Sequence, residues 1–197
     1  MADQTFTSGQ ILTVAQMTTL QGNSGLVVVT PTGATGGTIS GSTVTIGAGV
    51  SSVAVAGAFS SSFDSYKIII SGGVASASAG LTLILTGSVT GYYAGEVRVR
   101  YDTGAVSGTG YNNSASWEIA RVFTDTLACS WELIGPFLAK PTVMTSSGND
   151  TRVTAGTSAR QQTGVHSVAS SFSGFTIAPD AGNLTGGSIR VYGYRNS

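Results

Sequence analysis

Apolar and hydroxyl-bearing side chains alternate in short runs along most of this chain, with a period of two. In Ser188-Ile189-Arg190-Val191-Tyr192, Ile189 and Val191 fall on one face while Ser188, Arg190 and Tyr192 fall on the other, the pattern of a strand with one dry side. Bounded by clusters of Gly, Ser, Thr and Asn, such runs predict strands over 26–30, 43–46, 52–56, 66–71 and 81–86 in the first half. The second half offers 96–101, 116–121, 130–134, 151–155, 165–169, 174–177 and 188–192. Many short strands without intervening helical periods point to an all-β fold, an antiparallel β-sandwich of jelly-roll-like character, rather than to an α/β sheet.

The alternation also predicts a core. Its inward residues are Val53 and Val55, Tyr66, Ile68 and Ile70, Leu81, Leu83 and Leu85, Val97 and Val99, Trp117 and Ile119, Trp131 and Leu133, Phe175 and Ile177, and Ile189 and Val191. Burying each such side chain is worth roughly 1.5–3 kcal/mol, enough for a core of ordinary stability.

Only the N-terminus breaks the period. Thr13 is placed to cap a short helix, Gln16 to close a capping box, Leu12 to staple onto Met17 and Gly22 to stop the turn. A helix of about nine residues does not stand alone, so Ile11, Leu12, Met17 and Leu20 need another surface, which a neighbouring chain can supply. Residues 31–50, PTGATGGTISGSTVTIGAGV, are rich in Gly and Thr and read as a connector. They suit a flexible linker, and the alternation of Val44 and Ile46 with Thr43 and Thr45 equally suits a strand wound around other chains in a stem. The expected division is an attachment segment over 1–24, a connector with strand character over 25–50 and a β-sandwich domain over 51–197.

Composition narrows the function classes. The 197 residues suit one main body. Charged residues make up 9% of the chain, far below the roughly 25% usual for soluble domains, so hydroxyls and backbone must keep the surface wet. Nine basic and nine acidic residues leave no net field to attract a polyanion, so nucleic acid is not an expected partner. Low charge alone would allow disorder, but 41% of the residues are apolar and patterned. Cys129 is the single cysteine and reads as a small core residue. No apolar run approaches the roughly 20 residues that span a bilayer, so no membrane insertion is expected, and the acidic N-terminus does not read as a secretory signal.

Catalytic patterns are weak. A hydrolytic triad would need His166, the one histidine, beside a serine and an acid. No Gly-x-Ser-x-Gly elbow occurs, and His166 lies in a strand-like run, where it reads as an ordinary sheet residue. The nine carboxylates are dispersed, so no pair is marked for acid–base work. Glu118 and Glu132 each follow a tryptophan, but neighbours on a strand point to opposite faces, and Trp117 and Trp131 read as core. One His, one Cys and scattered acids make no metal site. No phosphate-binding glycine loop appears, and neither a cofactor nor catalysis is expected. Asn112, Asn149 and Asn183 begin Asn-x-Ser/Thr triplets, which carry no meaning without a glycosylating pathway.

Two groups of side chains suit contacts instead. Glu96, Arg98 and Arg100 share one strand face opposite Val97, Val99 and Tyr101, a face that reads as solvated, with a subunit contact as the alternative. Tyr92, Tyr93 and Tyr111 lie in or beside Gly-rich runs, where tyrosines either cover a sandwich edge or contact a host glycan or protein.

A family resemblance joins these observations. Residues 6–21, FTSGQILTVAQMTTLQ, resemble the N-terminal segment of many tailed-bacteriophage tail-fibre and minor tail proteins. From about Ser51 onward, Phe59, Phe63-Asp64-Ser65-Tyr66, Gly135-Pro136-Phe137, Gly174-Phe175-Thr176-Ile177 and the closing Ile189-Arg190-Val191-Tyr192-Gly193-Tyr194-Arg195-Asn196 are similar to a β-rich domain of phage virion proteins. The resemblance implies a non-enzymatic structural protein, made in the host cytoplasm and displayed on the exterior of a phage particle, homo-oligomeric and trimeric. Tail fibre, minor tail, head-fibre and capsid-decoration stations all fit it. Its partners would be copies of itself, other virion proteins and a host-surface glycan or protein. Attachment or oligomer contacts would come from Phe6, Ile11, Leu12, Met17 and Leu20, and receptor contacts from Tyr92, Tyr93 and Tyr111.

Overall fold

The closing alternation becomes the strand around which the larger of two sheets is organised. The computed structural model describes residues 9, 11, 13–17, 25–149 and 158–195. Their strands begin with β1 (Leu26–Val29), β2 (Gly33–Thr35), β3 (Gly37–Ser40), β4 (Thr43–Ile46), β5 (Val53–Ala56) and β6 (Phe63–Ser71). There follow β7 (Val74–Ala75), β8 (Ala79–Leu85), β9 (Tyr92–Arg100), β10 (Val106–Ser114), β11 (Trp117–Val122) and β12 (Cys129–Ile134). The last are β13 (Thr142–Asn149), β14 (Ser158–His166), β15 (Phe175–Pro179), β16 (Leu184–Thr185) and β17 (Ser188–Arg195).

The larger sheet runs β10-β9-β14-β13-β12-β6-β17-β4-β3, and β1 joins β17 on the side where β4 ends. The smaller runs β11-β8-β15-β5-β2, and β7 and β16 form a two-stranded ribbon. All of these pairings are antiparallel, and the two large layers make an all-β sandwich. Strand β17 is interior because its inward Ile189 and Val191 meet no water, while its backbone bonds β6 on one side and β4 then β1 on the other.

Aromatic rings fix the spacing between the layers. Trp131 of the larger sheet meets Phe175 of the smaller edge-on at 6.0 Å, and Tyr92 meets Trp117 at 4.9 Å, the offset geometry that ring quadrupoles favour. The Trp117 indole N–H donates to the Tyr93 carbonyl across the gap at 3.2 Å. A Cβ at Gly164 would lie 2.6 Å from both Trp117 Nε1 and the Tyr93 oxygen, so this close approach requires glycine in the middle of β14.

Most expected core residues are buried, but Val97 and Val99 are not. They are 53% and 41% exposed, while Glu96 is buried. Strand β9 alternates as the sequence predicts but with its faces reversed: Tyr92 is held in the aromatic cluster, and with a period of two that anchor turns Glu96 and Arg98 inward and the valines outward. The expected connector also differs. Strand β2 pairs with β5, β4 pairs with β17, and Val44 and Ile46 are buried, so residues 26–46 supply strands to the sandwich.

Strands β2, β3, β10, β13 and most of β14 have no counterpart among the expected strands, because they are rich in small or polar residues with few large apolar side chains. The expected strand over 151–155 lies outside the described residues. That over 165–169 is the end of β14, which stops at His166.

Candidate functional site

The N-terminal turn forms as the capping chemistry dictates. Residues 14–17 are helical, the Thr13 N–H donates to Gln16 Oε1 at 2.9 Å and the Gln16 N–H donates to Thr13 Oγ1 at 3.2 Å, a reciprocal capping box. Ile11, Val14 and Met17 are 89%, 79% and 48% exposed. Phe6, Leu12 and Leu20, the other expected attachment contacts, lie outside the described residues.

Tyr92 separates from the other two tyrosines, since Tyr93 and Tyr111 line one surface groove with Val143, Thr163 and Val165. Tyr92 is a correction: it is fully buried and cannot touch a receptor. Its hydroxyl donates to the Ser88 carbonyl at 2.9 Å and accepts the Leu85 N–H at 2.8 Å. Burial pushes that hydroxyl up to about 12, against the two hydrogen bonds. Tyr93, its neighbour on β9, points the other way and is exposed. Tyr111 pairs opposite Ala94 and lies 3.4 Å from Glu118 Oε2. Consecutive strand positions lie on opposite faces, so Tyr92 and Tyr93 cannot share one contact surface.

A serine and the histidine do meet. His166 Nε2 lies 2.8 Å from Ser88 Oγ and 3.1 Å from the Thr90 carbonyl oxygen. A carbonyl only accepts, so in the tautomer that bonds Thr90 the Nε2 carries the proton and donates it, and the role of Nε2 toward Ser88 follows the tautomer. The ring is buried against Tyr92 and Phe172 at 4.5 and 5.1 Å. Burial holds its pKa below the ordinary 6.5, although hydrogen bonding to Thr90 and Val168 opposes the shift. The arrangement is a packed polar spot near the loop between β8 and β9.

Between the layers lies a charge cluster that the alternation, with its faces reversed, had hidden. Arg160 on β14 binds Glu96 through Nη2, which also lies 2.7 Å from Glu118 Oε1 on β11. Arg98 holds the other oxygen of Glu96, and Arg121 approaches Glu118 at 3.8 Å. The side chains of Glu96 and Arg160 are only 1% and 5% exposed. Beside them, the Gln162 amide and Arg160 Nη1 are enclosed without a protein partner. Cross-strand pairing of Gln162 with Glu96 on β9 and Ser146 on β13 makes this a polar layer inside the sandwich.

The outward side of the larger sheet divides in two. Over β12, β6 and β17 it is charged: Lys67 pairs with Glu132 at 3.4 Å, and Tyr194 donates to Glu132 at 2.5 Å. That bond, ahead of burial, raises the Tyr194 hydroxyl to about 12. Over β13, β14, β9 and β10 the outward positions carry no charge, and Tyr93, Val97, Val99, Val106 and Val165 are exposed there. A groove of about 810 Å³ adjoins this half, lined among others by Ile69, Val97, Val99, Ala128, Ala159 and Gln161. Cys129 also lines it, and burial pushes its thiol up to about 12, far from a reactive thiolate.

Among the described residues, no group of three or more His, Cys, Asp or Glu side chains is placed to hold a metal ion. No protein-family model, curated protein or solved structure matches the chain.

Proposed function

We propose that this chain is a non-enzymatic structural protein of a phage particle, a homo-oligomeric and trimeric tail-fibre or minor tail component on the virion exterior. Head-fibre and capsid-decoration positions are the alternative stations. The resemblance of residues 6–21 and of the closing segment motivates the reading. The structural observation that carries it is the capping-box turn at 13–17, which presents Ile11, Val14 and Met17 to the outside ahead of a β-sandwich that begins at Leu26. Apolar side chains exposed around this capped turn gain stability only against another surface, as an attachment peg would.

Deleting residues 1–24 removes none of the described strands. The truncated protein should keep its β-type circular dichroism spectrum and fail to enter particles. Normal incorporation would refute the peg, and electron microscopy of intact particles that found no copies of the chain would refute the structural role.

A further inference from the structure

We infer that the uncharged outer half of the larger sheet, over β13, β14, β9 and β10, is covered by a second copy of this chain. The inference rests on the homo-oligomeric reading and names the surface that reading needs.

The orientation of β9 carries the argument. Valine ordinarily faces the core and charge faces water, yet β9 turns Glu96 and Arg98 between the layers and Val97 and Val99 outward. Burying the charges is costly: they are taken out of water, and Arg160 Nη1 and the Gln162 amide beside them find no protein partner. The opposite face of the same strand gains nothing while it stays wet. Once the valines are covered, both faces of β9 are interior, and the outward placement of its apolar residues has a physical reason.

Three features select a second copy as the cover. First, the described outward positions on these four strands are uncharged, whereas the adjoining half displays Lys67, Glu132 and Arg190. Copies gathered about a symmetry axis bring this face close to its own counterparts, where like charges would repel, and a charged partner would find nothing to pair with. Second, β10 is a sheet edge of nine residues, VSGTGYNNS, without Lys, Pro or any charge. It lacks the charges and prolines that keep edges from associating, its one irregularity is the register shift between Tyr111 and Ser114, and Gly110 and Gly95 leave bare backbone beside it. Third, the area suffices: four strands at about 4.8 Å spacing and roughly 30 Å length give a face of roughly 600 Å² before side-chain relief, the order of the ~800 Å² per partner of a standard interface.

The test compares the full chain with Val97→Lys, which puts a charge inside the patch, and with Ile134→Lys, an equally exposed position on the charged half. Light scattering at micromolar concentration should report an oligomer for the wild type and for I134K, and a folded single chain of 19.8 kDa for V97K. A folded V97K that stays oligomeric overturns this surface and leaves the homo-oligomeric reading standing, whereas a monomeric wild type overturns both. Should V97K lose its circular dichroism signal, hydroxyl-radical footprinting of the wild type decides. Protection of Tyr93, Val97 and Val99 on assembly supports the inference, and unchanged labelling between dilute monomer and oligomer refutes it.

Discussion

Replacing Arg160 with methionine tests how the polar layer between the sheets is held. Arg160 Nη2 serves both Glu96 and Glu118 from a side chain only 5% exposed. Its loss leaves Glu96 with Arg98 alone, and Glu118 with Tyr111 at 3.4 Å and the more distant Arg121 at 3.8 Å. Removing one member of a buried ion pair costs about 3–5 kcal/mol, because the charge left behind has lost both water and partner. Arg98 still contacts Glu96, so the expected loss lies near the lower end, about 3 kcal/mol. In a domain of this size that lowers Tm by roughly 6–12 °C. Urea and thermal unfolding, followed by circular dichroism, should be run on R160M, E96L and R160M/E96L. The double variant removes the stranded carboxylate as well as the guanidinium, so its loss should be smaller than the sum of the single losses by at least about 1 kcal/mol. An R160M loss below about 1 kcal/mol, or singles that simply add, would refute the view that the pair acts as a buried unit.

Two further predictions concern the neighbouring aromatic cluster. Tyr92→Phe leaves the Leu85 N–H and the Ser88 carbonyl without their hydroxyl partner and should cost about 1–3 kcal/mol in urea unfolding, whereas a loss under about 0.5 kcal/mol would fit a surface tyrosine instead. His166 binds its proton less readily folded than unfolded, since its pKa is lowered from 6.5. Between the two values the unfolded chain holds the extra proton, so stability rises with pH there and is lost as pH falls below about 6.5 towards the folded pKa. His166→Gln should remove that slope, and a slope just below pH 6.5 that survives the substitution would show another group responsible.

Much of the fold was legible because period two is a local property. Val53, Val55, Leu81, Leu83, Leu85, Phe175, Ile177, Ile189 and Val191 alternate with small or polar neighbours, Ile84 apart, and each is buried. The capping box at Thr13 and Gln16 was equally legible, since both partners lie within one helical turn. Edge strands such as β10 were not, because an edge has only one neighbour to satisfy and tolerates Gly, Ser and Asn that carry no apolar signal.

The candidate surfaces were less legible. Tyr92 and Tyr93 looked alike among glycines, but pleating sends one into the aromatic cluster and the other to the outer face. Ser88 and His166, 78 residues apart, meet only through tertiary structure, as do Glu96 and Arg160, 64 residues apart.

By itself, the order of residues determined that the chain makes short antiparallel strands, which of them carry a greasy face, and where the N-terminal turn is capped. Only the tertiary structure decided which face of β9 is the inner one. Alternation specifies two sides of a strand without labelling them, and the label came from Tyr92, whose ring is enclosed by Trp117 and His166 and thereby commits Glu96 to the interior and Val97 to the outside.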